Sequence, residues 1–188
     1  AALGLSDGEL DALRAGALLH DIGKLAVPEH ILNKPGRLTS GELEKMKVHV
    51  AVGASILEKV RFPYPVVPTV RHHHENWDGT GYPDALAGDE IPITARVLAV
   101  ADVYDALRGH RPFRAAVGRE DACNFLRTRA GSQFDPHVVN TFLRNLRRLE
   151  SEIEFYGFGY DTEHPGMADG PAGEADYVQQ IKRANQEV

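Results

Sequence analysis

The chain has 188 residues, of which 43% are hydrophobic and 26% are charged, as is typical of one globular domain with a short appendage. Its formal net charge of -6 argues against broad binding to polymeric nucleic acid, which takes most of its affinity from lysine and arginine contacts to phosphate. The single cysteine, Cys123, excludes an intramolecular disulfide, and no apolar run or signal-peptide pattern stands out, so we expect a cytoplasmic protein.

The first predicted helix begins at a capping box. Ser6 and Glu9 have the spacing of this motif, and apolar residues follow at helical intervals toward His20. The next segment, residues 25–37, contains several proline and glycine residues and is predicted to be a loop.

A second capping box, formed by Thr39 and Glu42, predicts another helix. Apolar residues recur along one face over residues 43–57, and His49 lies next to that face. This helix is therefore expected to place an imidazole beside the core.

Three consecutive histidines follow in the chain. Residues 66–75 can form a short helix that carries His72, His73 and His74, and residues 77–92 are predicted to be a long ordered loop. Long loops in compact domains are often functional.

The remaining predicted elements are also helices. Residues 93–107 are apolar on nearly every side, which indicates a buried central helix, and that helix carries Asp102 and Asp105. Further helices are predicted over residues 119–129 and from Asp135 to about Glu150. Nothing resembles a series of strands, so the fold class is all-α, a helical bundle with a long loop.

The tail differs in composition from the rest of the chain. We expect a domain over residues 1–150 and a tail over residues 151–188, in which residues 161–175 read as a linker and residues 177–185 as a short helix. Exposed aromatic side chains are unfavourable in a solvated tail, so four are predicted to pack on the domain: Phe155, Tyr156, Phe158 and Tyr160.

Several short strings occur together in the order and spacing of one protein family. They include His20-Asp21 with Lys24, the string HHENWDGTGYP that begins at His73, and the string ADVYDAL that begins at Ala101. The sequence closely resembles the HD-GYP family, a branch of the HD metal-dependent phosphohydrolases, over residues 3–144. Each string alone is a weak signal, and the resemblance depends on their joint occurrence.

The resemblance implies an all-helical metal-dependent phosphodiesterase that hydrolyses cyclic di-GMP to linear pGpG and then to GMP. It implies two divalent metal ions, iron or manganese, with Asp21 as the bridging ligand. The implied metal ligands are His20, Asp21, His49, His73, His74 and Asp102. The residues implied to contact substrate phosphates are Lys24, Arg111 and Arg114, with Asp21 and Lys24 as the catalytic pair.

The residue types agree with this assignment on physical grounds. Neighbouring residues on a helix point about 100° apart, so His20 can bind one ion while the carboxylate of Asp21 bridges two. Two such ions lower the pKa of water and stabilise both the attacking and the leaving oxygen of a phosphodiester displacement. Lys24 can neutralise the charge that develops on the phosphate.

Some positions allow a simpler interpretation. Asp105 lies nearly one turn from Asp102 and could replace it as a ligand. His72 is expected in a solvated turn that points away from the site. Glu75 either accepts a hydrogen bond in support of the site or caps the helix.

The glycines and arginines near the motifs also have ordinary explanations. Gly79 and Gly81 are expected to adopt dihedrals that other residues avoid. Arg108, Arg111 and Arg114 could form a solvated run of charge.

HD-family sites usually take an additional histidine from a helix that precedes the His-Asp helix, and this sequence contains no such residue. A three-metal site is therefore not expected. Two other functions stay open: a weakly catalytic domain that binds cyclic di-GMP or a diguanylate cyclase (GGDEF) domain, and a phosphohydrolase that acts on another nucleotide. Domains of this family usually follow a sensor or receiver domain.

Overall fold

The computed structural model describes residues 2–109 and 116–156, and these residues form helices and contain no β-strand. The prediction of an all-α fold is confirmed. Two 3-10 turns, Ile22–Ala26 and Gly88–Glu90, supplement the α-helices. The α-helices are α1 (Asp7–Leu19), α2 (Glu29–Leu32), α3 (Ser40–Glu58), α4 (Val66–Arg71), α5 (Ile93–Arg108), α6 (Arg119–Arg129) and α7 (Pro136–Phe155).

Both predicted capping boxes are formed. The hydroxyl of Ser6 accepts from the backbone N–H of Glu9, whose carboxylate accepts from the N–H of Ser6 at 2.8 Å. Thr39 and Glu42 make the same reciprocal pair at the start of α3. These pairs satisfy backbone donors that the first turn of a helix leaves without partners.

Three predicted boundaries are wrong. Residues 25–37 contain the end of a 3-10 turn and the short helix α2 rather than a loop alone. Helix α4 ends at Arg71, before the three histidines that it was expected to carry. Helix α7 continues beyond Glu150 to Phe155.

Helix α5 lies at the centre of the bundle, as its apolar composition predicts. It packs against α1, α4, α6 and α7. The larger apolar cluster lies between α5, α6 and α7 and includes Val100, Leu107, Leu126, Phe134 and Leu146. A smaller, separate cluster, which contains Leu57, Val66 and Val70, joins α3 to α4.

The predicted long loop, residues 77–92, is ordered by backbone hydrogen bonds. The carbonyl of Trp77 accepts from the N–H of Gly88 at 2.9 Å, and the N–H of Trp77 donates to the carbonyl of Gln133 at 3.1 Å. Gly79 has φ +82°, the left-handed conformation expected for it. Gly81 is needed for a different reason, because an added Cβ would lie 2.2 Å from the backbone nitrogen of Asn76.

Part of the predicted tail is visible in the last helix. Phe155 is 84% exposed and Tyr156 is 72% exposed, so the prediction that these two side chains pack on the domain is wrong. Phe158, Tyr160, the expected linker and the expected terminal helix lie outside the described residues. Among the described residues, no helix combines the length and the apolar character needed to cross a bilayer.

Candidate metal centre

The centre is built where the 3-10 turn after α1 touches the middle of α3. Gly23 in that turn is buried, and an added Cβ would lie 1.9 Å from the carbonyl oxygen of His49 and 2.5 Å from the backbone nitrogen of Gly53. Only a glycine allows this approach. The contact brings Asp21, which directly precedes the turn, to 3.7 Å from His49 Nε2.

Four histidine rings that are distant in the sequence converge here. His49, His73 and His74 each offer one side-chain nitrogen as a ligand atom, and these three nitrogens lie within 4.8 Å of one another. This group can therefore hold a metal ion. The ring of His20 lies 5.2 Å from the ring of His73 between centroids. The structure therefore collects all four predicted histidines in one place.

Backbone carbonyls fix the orientation of three of these rings. The Nδ1 atoms of His49, His73 and His20 donate to the carbonyls of the residues three positions earlier, at 2.7, 2.7 and 3.0 Å. A carbonyl oxygen only accepts, so Nδ1 carries the proton and Nε2 keeps its lone pair. This is the tautomer that a metal-binding histidine requires.

The buried Nε2 atoms of His49 and His73 have no hydrogen-bond partner within the described part of the chain. A buried nitrogen of this kind normally finds a partner, because leaving it without one costs about 1–3 kcal/mol. Two such atoms aimed into one cluster fit a site for a metal ion.

Burial keeps these imidazoles neutral. It lowers the pKa of His73 to about 4, and it lowers the pKa values of His49 and His74 as well. A neutral imidazole is the form that coordinates a metal, so these rings are ready to bind at neutral pH.

The two predicted carboxylates both lie near His20. Its Nε2 is 3.5 Å from Asp21 Oδ2 and 3.7 Å from Asp102 Oδ1, while Asp105 on the same helix is exposed. Asp102 therefore lies beside the histidines and Asp105 faces solvent, which does not support the alternative in which Asp105 is the ligand. His20 is the C-cap of α1 and Asp21 follows it in the turn, so this pair lies at a helix end rather than within a helix.

Lys24 contacts the predicted bridging carboxylate. Its Nζ donates to Asp21 Oδ2 at 2.6 Å. Burial raises the pKa of Asp21, but the hydrogen bond and the charge of Lys24 outweigh burial, so the pKa is lowered overall. The lowered pKa favours the ionised carboxylate of Asp21 at neutral pH. Arg111 and Arg114, the other predicted phosphate contacts, lie outside the described residues.

The residues next to the histidine cluster hold the long loop. Buried Glu75 accepts from the N–H groups of Asp84 and Leu86 at 2.7 and 3.2 Å, so it supports the loop and does not cap the helix. Asp84 in turn accepts from Arg71 and pairs with His72 Nε2 at 2.9 Å. The expectation that His72 is solvated is wrong, because Asp84 and the carbonyl of Pro68 bind both of its nitrogens.

Tyr82 is a site residue that sequence reasoning interpreted only as a support for the loop. Its ring stacks on His74 at 4.9 Å between centroids, and Lys47 Nζ lies 5.4 Å from the centre of the same ring. The loop therefore forms one wall of the centre. No local sequence pattern predicts this contact, because it depends on how the loop places Tyr82 against His74.

The HD domain family matches residues 1–138 of this sequence. This chain belongs to the HD domain family. The domain is 43% identical over 150 residues to a cyclic di-GMP phosphodiesterase response regulator of Xanthomonas campestris, covering 79% of this chain and 40% of that protein. It is 37% identical over 166 residues to a cyclic di-GMP phosphodiesterase of Thermotoga maritima, covering 87% of this chain and 45% of that protein.

A third relative is named for a different substrate. The HD domain is 40% identical over 144 residues to a 3′3′-cGAMP-specific phosphodiesterase of Vibrio cholerae, covering 76% of this chain and 28% of that protein. The chain spans less than half the length of these three curated relatives.

Solved structures share the fold. An HDG"Y"P protein from Bdellovibrio bacteriovorus aligns with a TM-score of 0.61 and 25% identity, covering 77% of this chain and 46% of that one. A cyclic GMP-AMP specific phosphodiesterase of Vibrio cholerae aligns with a TM-score of 0.59 and 20% identity, covering 97% of this chain and 50% of that one. The family expected from the motifs is confirmed.

Proposed function

We propose that this HD domain is a metal-dependent phosphodiesterase that hydrolyses cyclic di-GMP to pGpG and then to GMP. The observation that carries the proposal is the pair of buried Nε2 atoms of His49 and His73, which have no hydrogen-bond partner among the described residues; that of His49 lies 3.7 Å from the lysine-paired Asp21. Relatives named cyclic di-GMP phosphodiesterases at 37–44% identity support the choice of substrate.

The proposed metal ligands are His20, Asp21, His49, His73, His74 and Asp102. Their placement around one space supports this set, because one nitrogen from each of three rings lies within 4.8 Å of the others and the carboxylates lie within 3.7 Å of histidine nitrogens. Nitrogen and carboxylate donors without a thiolate suit iron or manganese, and we propose two such ions.

Divalent metal ions, when bound there, supply Lewis acidity toward the phosphate and lower the pKa of water. Lys24 holds Asp21 in its ionised form and offers a positive charge at the cavity edge to a substrate phosphate. Arg111 and Arg114 are proposed to add further phosphate contacts. Tyr82 holds the ring of His74 in place from the loop side.

The proposal extends to the setting of the domain. A sensor or receiver domain is the proposed source of its input, and the relative named as a response regulator supports this. We also propose a cytoplasmic location and contact with a diguanylate cyclase (GGDEF) domain. The division into a domain over residues 1–150 and a tail over residues 151–188 stays a proposal.

A second candidate substrate is 3′3′-cGAMP. It is favoured by relatives that are named for this dinucleotide and are 36–40% identical to the chain. The chemistry at phosphorus is the same for both dinucleotides, so the metal centre does not distinguish them.

The test is anaerobic incubation of the chain, reconstituted with manganese or ferrous iron, with cyclic di-GMP, followed by chromatography of the products. We expect pGpG and then GMP, and a rate at least about 100-fold lower for Asp21→Asn, because loss of the bridging anion removes transition-state stabilisation of this size. Asp11→Asn on the exposed face of α1 is the matched control. Absence of product from the metal-loaded chain, or an unchanged rate in Asp21→Asn, would overturn the proposal.

A further inference from the structure

A cavity of about 420 Å³ opens beside the Asp21–Lys24 pair. Its lining combines that charged pair with apolar side chains and a second carboxylate. The lining includes Asp21, Lys24, Leu25, Val27, Leu32 and Glu29. Small-molecule sites typically have volumes of about 300–1,000 Å³, so this cavity has room for one nucleotide-sized group.

The apolar lining is unusually exposed. Leu25 is 80% exposed and Leu32 is 39% exposed, although both lie next to the charged centre. An exposed leucine contributes favourable free energy when a ligand covers it. A flat aromatic ring is a suitable cover, because its faces are apolar and its edge carries the hydrogen-bonding groups.

The backbone that carries Glu29 is fixed. Val27 is 6% exposed and Ile31 is 1% exposed, so the core holds the chain on both sides of this residue. Asn33 Nδ2 lies 3.5 Å from Glu29 Oε1 and can restrict the side chain from the next turn. The carboxylate of Glu29 therefore lies at the cavity on a fixed stretch of backbone, beside the amide of Asn33.

We propose that this cavity binds one guanine of the cyclic dinucleotide substrate and that Glu29 selects guanine over adenine. The inference rests on the proposed function, since the substrate phosphate must reach Lys24 and Asp21 while its base lies against Leu25 and Leu32.

The selectivity follows from the hydrogen-bonding edges of the two bases. Guanine presents two neighbouring donors, N1–H and the N2 amino group, and a carboxylate accepts from both. Adenine presents one donor, its N6 amino group, beside the lone pair of N1, which faces the carboxylate unfavourably. A bidentate contact of this kind discriminates between bases by about 1–3 kcal/mol, which corresponds to about 5- to 150-fold in affinity.

The test compares dissociation constants of the manganese-loaded full chain for phosphorothioate analogues of cyclic di-GMP and cyclic di-AMP, which resist turnover. We expect the guanine analogue to bind at least about fivefold more tightly. In Glu29→Gln this ratio should fall to near one or invert, because a glutamine amide can accept from N6 and donate to N1 of adenine. Loss of negative charge favours both anionic ligands alike, so the ratio isolates base recognition.

Glu120→Gln, an exposed change on α6, is the matched control and should keep the wild-type ratio. Equal affinities of the wild type for the two analogues would overturn the inference. So would a guanine-selective wild type whose affinity ratio changes by no more than about twofold in Glu29→Gln, because loss of a bidentate contact should change the ratio by more than that. If selective binding occurs without turnover of cyclic di-GMP itself, the guanine site stands and the proposed hydrolysis fails. If neither analogue binds, both fail.

Discussion

Each of three histidines at the metal centre is oriented by a carbonyl of its own chain segment. Because Nδ1 donates to that carbonyl, the ring already presents Nε2 to the cluster. It does not have to lose further rotational freedom when an ion binds. The buried position of His49 and His73 adds to this, since burial disfavours the charged imidazolium.

This arrangement predicts that His49→Asn lowers manganese affinity by more than about tenfold, because even partners outside the ligand set cost 10–100-fold when lost. His137→Asn changes an exposed histidine at the start of α7 and is the matched control. Competition with a chelator of known affinity measures both. Wild-type affinity in His49→Asn would contradict the proposed ligand set.

A pH-dependent contribution to stability is expected from Asp84. Arg71 and His72 lower its pKa to about 2, below the ordinary value of 3.8. The folded state therefore holds this carboxylate ionised more strongly than the unfolded state does. The resulting stabilisation is complete above pH 3.8 and is lost as the pH falls toward 2.

The side chain of Asp84 is 35% exposed, so solvent reduces the effect to less than about 1 kcal/mol. Asp84→Asn should lower the free energy of unfolding at pH 7, and the difference from wild type should shrink at pH 3. Urea unfolding at both pH values measures this. A difference that stays constant between them would show that ionisation of Asp84 is not its cause.

At the scale of elements, the contact between the 3-10 turn Ile22–Ala26 and α3 sets the geometry of the centre. Gly23→Ala would force the turn away from the backbone of α3, and overpacking of this kind costs about 1–3 kcal/mol or more. Gly41→Ala, in the first turn of α3, is the control. It has open space around it and should stabilise by about 0.5–1 kcal/mol.

Denaturant unfolding of the two glycine variants gives this comparison directly. Gly23→Ala should also bind manganese more weakly, because Asp21 moves away from His49 with the turn. If Gly23→Ala is as stable as Gly41→Ala, the close approach of turn and helix described above is incorrect.

The buried carboxylate of Glu75 is one of the groups that hold the long loop. Glu75→Gln replaces one of the two acceptor oxygens with a donor, and leaving a buried N–H without an acceptor costs about 1–3 kcal/mol. Hydrogen exchange at the amides of Asp84 and Leu86 should become faster, while the amides of α6 serve as an internal reference. Unchanged exchange at both loop amides would exclude this role for Glu75.

At the scale of the whole molecule, the larger apolar cluster and the metal centre occupy different parts of the bundle. The cluster joins α5, α6 and α7, whereas the centre draws on α1, α3, the segment after α4 and one residue of α5. Asp102 connects the two, because it lies on the helix that also carries Val100 and Leu107 of the cluster.

Much of this bundle follows from local signals in the sequence. The capping boxes at Ser6 and Thr39 placed the starts of α1 and α3, since each motif satisfies its own backbone donors. The apolar composition of α5 placed it at the centre. The convergence of four histidines was expected only from the resemblance to a family, not from spacing.

Other features depend on contacts for which the sequence carries no recognisable pattern. Helix α4 ends early where His73 Nδ1 occupies the carbonyl of Val70, the acceptor that a continuing helix would offer to the N–H of His74. The stacking of Tyr82 on His74 and the close approach of Gly81 to Asn76 likewise require the folded loop. These contacts determine the detailed geometry of the centre.

The most direct test is to titrate the metal-free chain with manganese under anaerobic conditions and to measure bound metal and cyclic di-GMP turnover in the same samples. The proposed centre predicts that turnover rises with metal content and saturates near two ions per chain, because a two-metal site acts on both oxygens of the displacement. Full metal occupancy without formation of pGpG, or turnover that is independent of bound metal, would contradict it.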